Sequence, residues 1–135
     1  MFGRKLCLRL ALIAVLSGVA SMSVADPNGF PFDSELLLDV GPMPGSKRVP
    51  NMDVAANGAI TLEMWCNRVE GQVIVAADTI TVITGSPSAR QCSLARVQAD
   101  SELLATLAEV TAWQRQGNIV MLIGPRTLRF RLPTN

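Results

Sequence analysis

The chain has 135 residues, with 12 Lys and Arg against 11 Asp and Glu, and it contains no His and no Tyr. The missing His excludes Ser-His-Asp and Cys-His nucleophile pairs, His-ligated zinc and a His proton shuttle. Three bases fall in residues 1–25, so the other 110 residues carry 9 bases and 11 acids, a net of −2 that argues against nucleic acid as the main partner.

Residues 1–25 have the three parts of a secretory signal peptide. Arg4, Lys5 and Arg9 make a positive start, Leu10–Ala20 is an apolar run, and Ser23-Val24-Ala25 places small residues before a cut ahead of Asp26. The apolar run has 11 residues, too few for a bilayer, which needs about 20; an uncleaved anchor is the alternative. Leu16-Ser17-Gly18 is followed by Val19 rather than a lipid-accepting Cys, and Cys7 lies too early to serve. The expectation is therefore a periplasmic chain cleaved after Ala25, with no stable membrane anchor.

Residues 26–34 are rich in Pro, Gly, Asn and Asp and read as an exposed lead-in. The remainder, 35–133, reads as one domain. Glu35–Val40 is a short apolar strand, and Gly41–Lys47 a loop broken by Pro42 and Pro44. That loop lacks the Gly spacing of a phosphate loop and has no helix after it. Arg48–Ala55 is a second strand, and Asn57-Gly58 a turn. In Ala59–Trp65, Ile60, Leu62 and Met64 face one way and Thr61, Glu63 and Trp65 the other, leaving Trp65 partly exposed for a ligand or partner. Gln72–Ala76 and the β-branched Thr79–Thr84 follow, joined at Ala77-Asp78.

The period then changes. Asp100 or Ser101 caps a helix over about 100–112, with Glu102 in its first turn and Leu103, Leu104, Leu107 and Ala108 as its apolar stripe. Strands resume at Val110–Arg115, Ile119–Ile123 and Thr127–Leu132, with turns at Gln116-Gly117-Asn118 and Gly124-Pro125. Short connections imply antiparallel neighbours, and a twisted sheet of this many strands curls. The predicted fold is α+β and β-rich: an antiparallel meander curled into a partial barrel with one packed helix.

Loss of Cys7 with the signal leaves Cys66 and Cys92, 26 positions apart. In an oxidising compartment two such residues most often pair, with buried free thiols as the alternative. Two thiolates without His leave zinc under-coordinated, so no metal or cofactor is expected. Glu63 and Glu70 flank the first Cys and are the nearest thing to an acid–base pair, but partnership with Arg68 and Arg90 is the simpler reading. Asn67 is read as stabilising a turn through its amide and its tolerance of left-handed backbone, with Gly71 completing the turn. Arg68 as an anion contact is the sharper alternative. Arg126, Arg129 and Arg131 form a basic C-terminal edge, either solvated or turned to an acidic partner.

The block Cys66-Asn67-Arg68-x-x-Gly71, a second Cys after a Thr-rich strand, an acidic-Leu-Leu helix and a closing Leu-Arg-Phe strand resemble the META domain family, the group of the heat-inducible HslJ-like envelope proteins. Cys66, Asn67, Arg68 and Gly71 match the family's Cys-Asn turn region, Cys92 its second Cys and Glu102 the acid opening its helix. Trp65 stands where family members usually have Gly. The resemblance implies a β-rich fold with one packed helix, no established enzyme activity and a link to envelope stress, so a non-enzymatic protein is expected. The function expected is binding of an envelope protein or an amphiphile. A proteinaceous inhibitor of a cell-wall hydrolase, with Gly41–Arg48 as its plug, is the alternative.

Overall fold

The computed structural model describes residues 17–19, 26 and 28–134. The signal peptide read over 1–25 lies outside the described residues, save for 17–19. Eight strands and one helix run in the order β1 (Ser34–Leu38), β2 (Asn51–Val54), β3 (Ala59–Glu63), β4 (Arg68–Ala76), β5 (Thr79–Thr84), α1 (Leu94–Glu109), β6 (Ala112–Gln116), β7 (Ile119–Ile123) and β8 (Leu128–Arg131). Every strand pairs antiparallel with the next, as the short connections imply for all but β5 and β6, which are joined through α1.

The curl completes itself. β1 pairs with β8 through Leu37↔Arg131 and Leu38↔Phe130, so the eight strands form a closed barrel and the first and last strands protect each other's edge. The weakest joint is β5–β6, held by the single pair Thr79↔Ala112. The helix connects these two strands in the chain and supplies Leu103 and Leu107 to the barrel's core cluster, which Val110 joins just beyond the helix end.

Period-2 alternation fills the interior. Leu36, Met52, Leu62, Leu122, Val120 and Phe130 are fully buried, while Arg129 and Arg131 flank Phe130 on the exposed face. The turns follow their residue types: Gly58 closes the β2–β3 hairpin at φ +84°, as its Asn-Gly signal predicts. Part of the lead-in is docked rather than free. Phe30 meets Trp113 edge-on at 5.4 Å, and Arg115 Nη1 donates to the Gly29 carbonyl at 3.0 Å.

The helix departs from its expected bounds. It starts six residues before Asp100, at Leu94, and Ser93 rather than Asp100 or Ser101 is its cap, its Oγ accepting from the Arg96 N–H. Leu94 and Val97 are exposed, so the first two turns carry no buried apolar stripe to reveal them in the sequence. The helix stops at Glu109, because Val110 is extended and leads into β6. Glu102 therefore lies beyond the first turn, where the helix dipole gives it little support.

Gly71 also has another role than the one expected of it. It does not complete a turn but lies inside β4, opposite both Ile60 of β3 and Thr84 of β5. β4 pairs with β3 over 68–72 and with β5 over 71–76, so Gly71 sits where the strand passes from one neighbour to the other. A Cβ here would stand 2.1 Å from the Ile83 carbonyl oxygen. Because the obstacle is backbone, Gly71→Ala is expected to cost about 3 kcal/mol, at the upper end for overpacking. Urea unfolding measures it, and a loss under about 1 kcal/mol would show that the strand yields freely.

Candidate functional site

The Cys-Asn-Arg block builds the best-defined polar structure of the molecule. β3 ends at Glu63, and Met64–Asn67 turn the chain into β4, with the Met64 N–H donating to the Asn67 carbonyl at 2.9 Å. A tight turn leaves its central N–H groups without ladder partners. Here they converge on one carboxylate from α1. Asp100 accepts from Trp65 N–H at 3.0 Å, from Cys66 N–H at 3.1 and 3.2 Å, and from Asn67 N–H at 2.7 Å. Asp100 is 3% exposed, so these bonds are sheltered from water.

A covalent link joins the same two segments. Cys66 is bonded to Cys92, just ahead of the helix cap, with Cα atoms 5.9 Å apart. The expected disulfide is therefore formed, and it ties the turn to the helix start while Asp100 ties it to the middle.

Asn67 works differently from the expectation. Among the described residues only Asp33 and Ala77 are non-glycine positions with positive φ, so Asn67 does not use left-handed backbone. Its Oδ1 reaches across to the segment between β5 and α1, accepting from Arg90 N–H at 2.7 Å and from Ser88 Oγ at 3.1 Å. The Arg68 N–H donates to the same Ser88 Oγ at 3.0 Å. Asn67→Ala leaves the Arg90 N–H without its acceptor and is expected to lower stability by about 1–2 kcal/mol. Faster amide exchange at Arg90, with little change in β7 and β8, is the signature that checks the assignment.

Arg68 is engaged by acids. Its guanidinium lies 3.7 Å from Glu63 and 3.7 Å from Glu70, and Arg90 lies 3.7 Å from Glu63. These are the partners expected for the two carboxylates, and they leave Arg68 poorly suited as a free anion contact. All four side chains are at least partly exposed, so each pair contributes little to stability. The C-terminal bases separate likewise. Arg129 is paired with Asp39 at 2.9 Å, Arg131 is exposed on β8, and Arg126 stands on the β7–β8 connection.

Trp65 is partly exposed, as its place in the alternation predicts, and its covered side packs against the core. Its Nε1 is buried and has no acceptor among the described residues. By contrast Trp113 Nε1 donates to the Ala77 carbonyl at 2.8 Å. Trp65 forms one wall of an open groove of about 180 Å³ between α1 and the barrel end, with Leu38, Val40, Leu103 and Leu128. Glu102 and Arg126 also line it. The expected contact residues Trp65 and Arg126 thus share one groove, while Arg68 lines a separate cleft with Glu70 and Arg90.

The residue undervalued from the sequence is Asp100. A helix cap was its expected role, yet it lies inside α1 on the buried face. The spacing Asp100, Leu103, Leu107 carries the signal: i, i+3 and i+7 place the carboxylate on the core stripe.

The META domain profile matches residues 35–132. Among solved structures, an NMR structure of a protein from Burkholderia xenovorans is similar, with a TM-score of 0.66 at 15% identity, covering 87% of this chain and 97% of the other. A second NMR structure has a TM-score of 0.57 at 18% identity, covering 74% and 89%. A crystal structure of a DUF4847 family protein from Bacteroides vulgatus has a TM-score of 0.50 at 15% identity, covering 61% and 57%. A search of curated proteins finds no match. At these identities the structural likeness is one of fold. The profile runs from β1 to just beyond β8 and takes in the Cys66 turn, Cys92 and the helix, and the chain belongs to the META domain family.

Proposed function

We propose that this is a non-enzymatic, exported protein of the HslJ type that acts in the periplasm by recognising another envelope protein through its outer surface, in the response to envelope stress. The observation that carries this reading is the packed interior. Leu36, Met52, Leu62, Leu122 and Phe130 of the strands and Leu107 of the helix share one core cluster, all at 0% exposure. A lipid-binding barrel needs an apolar chamber of about 300 Å³ or more. An amphiphile held inside the barrel is therefore the weaker form of the proposal, and surface recognition of a protein the stronger. The disulfide is compatible with export, and the family supports the HslJ comparison. Glu63 and Glu70 are engaged with arginines on the outer face, which supports a binding role over acid–base catalysis. No cofactor and no nucleic acid enter the proposal.

The test is retention. The exported protein, immobilised and exposed to envelope extract, is expected to hold a defined protein that a heat-denatured control does not. Retention of nothing, or of lipid alone, overturns the proposal.

One observation favours the hydrolase-inhibitor reading. The loop 41–48 is mostly exposed, yet it is anchored where the Arg96 guanidinium donates to the Gly45 carbonyl. A loop held in place loses less entropy on plugging a cleft. Lysozyme activity in the presence of the protein separates the two: inhibition that disappears when Gly45–Lys47 are replaced favours the plug.

A further inference from the structure

We infer that the groove between α1 and the barrel end seats a single apolar side chain, aromatic or leucine, from a partner polypeptide, whose neighbouring basic residue meets Glu102 and whose neighbouring acidic residue meets Arg126. The inference rests on the binding function proposed above and names the site and chemistry of the contact.

Size selects the occupant. The groove holds about 180 Å³, below the roughly 300–1,000 Å³ of sites that enclose whole small molecules. It is close to the ~150 Å³ that accommodates a benzene ring in an apolar cavity. The groove covers about one side chain, and most of a lipid chain would lie outside it. The walls are apolar on both sides, from Leu103 on the helix and from Leu38 and Leu128 on the barrel, with half-exposed Val40 at the edge. A desolvated pocket that takes one large anchor is the usual centre of a protein contact.

Charge gives the flanks. Ala99, Glu102, Leu103 and Thr106 share one helix face by their spacing, and Arg126 lies across from them on the β7–β8 connection. Among the described residues the ion pairs engage Arg68, Arg90 and Arg129; Arg126 and Glu102 enter none, with each other or with any other group. The rim therefore presents one acid and one base, each uncommitted. The Trp65 indole N–H is buried without an acceptor beside this groove, so its signal reports on what covers the wall. The wall is already held, because Trp65 is fixed through its own N–H on Asp100 and through the neighbouring disulfide, so little ordering is needed on binding.

The probe is the peptide acetyl-Lys-Phe-Asp-amide, titrated into the full exported protein while its two indole N–H signals are followed by NMR. The expected result is a saturable shift of the Trp65 indole and of the Ala99–Thr106 amides, with the Trp113 indole unmoved. Replacing the peptide's Phe with Ala is expected to weaken binding at least tenfold, the equivalent of burying part of one ring. Glu102→Lys is expected to weaken binding of the charged peptide more than of acetyl-Gln-Phe-Asn-amide. Ala99→Leu fills the groove from the helix side and is expected to abolish the shift while the unfolding midpoint stays near wild type. Shifts centred away from Trp65, or equal shifts with the Ala peptide, overturn the inference. So does a monomeric lysophospholipid that occupies the groove more tightly than the peptide, and so does a Trp65 shift on concentrating the protein alone, which would make the occupant a second copy. Peptide binding without any retained envelope protein leaves the groove assignment standing and removes the function proposed above. An envelope protein retained equally by Ala99→Leu does the reverse.

Discussion

Asp100→Ala is expected to lower the unfolding free energy by about 3–5 kcal/mol, a large share of the roughly 5–15 kcal/mol typical of a domain. Three consecutive N–H groups, from Trp65, Cys66 and Asn67, lose their only acceptor at once, in a place where water does not readily replace it. A hydrogen bond to a charged group contributes about 1.5–3 kcal/mol, and partial rehydration of the opened turn keeps the total below the sum of three. Asp100→Asn separates charge from shape. Its amide keeps one acceptor oxygen but turns an NH2 toward N–H donors, so roughly half of the loss is expected. Denaturant midpoints at unchanged slope measure both variants. A loss below about 1 kcal/mol for Asp100→Ala would mean that the turn finds other partners and that the carboxylate is not its anchor.

Removal of the Cys66–Cys92 bond, by reduction or by replacing both residues with Ser, is expected to cost roughly 3–4 kcal/mol on the chain-entropy account. The crosslink spans 26 residues, which include all of β5. Because Asp100 and the disulfide tie the same turn to the same helix, their combination is informative. If the crosslink acts by restricting the unfolded chain, its loss adds to that of Asp100→Ala within about 0.5 kcal/mol. If it acts by holding the turn in the folded state, the double variant loses more than the sum, since neither tether remains. The variant lacking both is expected to be largely unfolded at room temperature, read from its circular dichroism.

Taken together, these variants place the stability of the Trp65 wall in two connections to α1. The peptide groove is built on that wall, so variants that loosen the turn are expected to weaken peptide binding before they unfold the barrel. Asn67→Ala releases the other side of the turn, toward Ser88 and Arg90, and is expected to leave the groove intact.

Much of the barrel was legible residue by residue. Ile60 and Leu62 point inward because strands alternate, Asn57-Gly58 turns because glycine adopts positive φ, and Ile119–Ile123 is a strand because five apolar residues lie between two turn signals. The Glu63 and Glu70 pairing with Arg68 also followed from proximity along the chain and across one hairpin, whereas Arg90 reaches Glu63 from the segment between β5 and α1. The early turns of α1 were hidden because Leu94 and Val97 face solvent, and a helix read from its apolar stripe starts where the stripe starts.

What this sequence determined by itself is what short-range physics controls: strand periods, turn positions and the family that the Cys-Asn-Arg block marks. Tertiary structure alone decided the rest. Closure of β1 on β8, the close approach of Gly71 to Ile83, the three N–H groups gathered on Asp100 and the union of Trp65, Glu102 and Arg126 around one groove all join segments far apart in the chain. Trp65 and Asp100, for example, are separated by 35 positions. No local period encodes such a meeting, because it depends on how the barrel twists and where the helix settles once the core has packed.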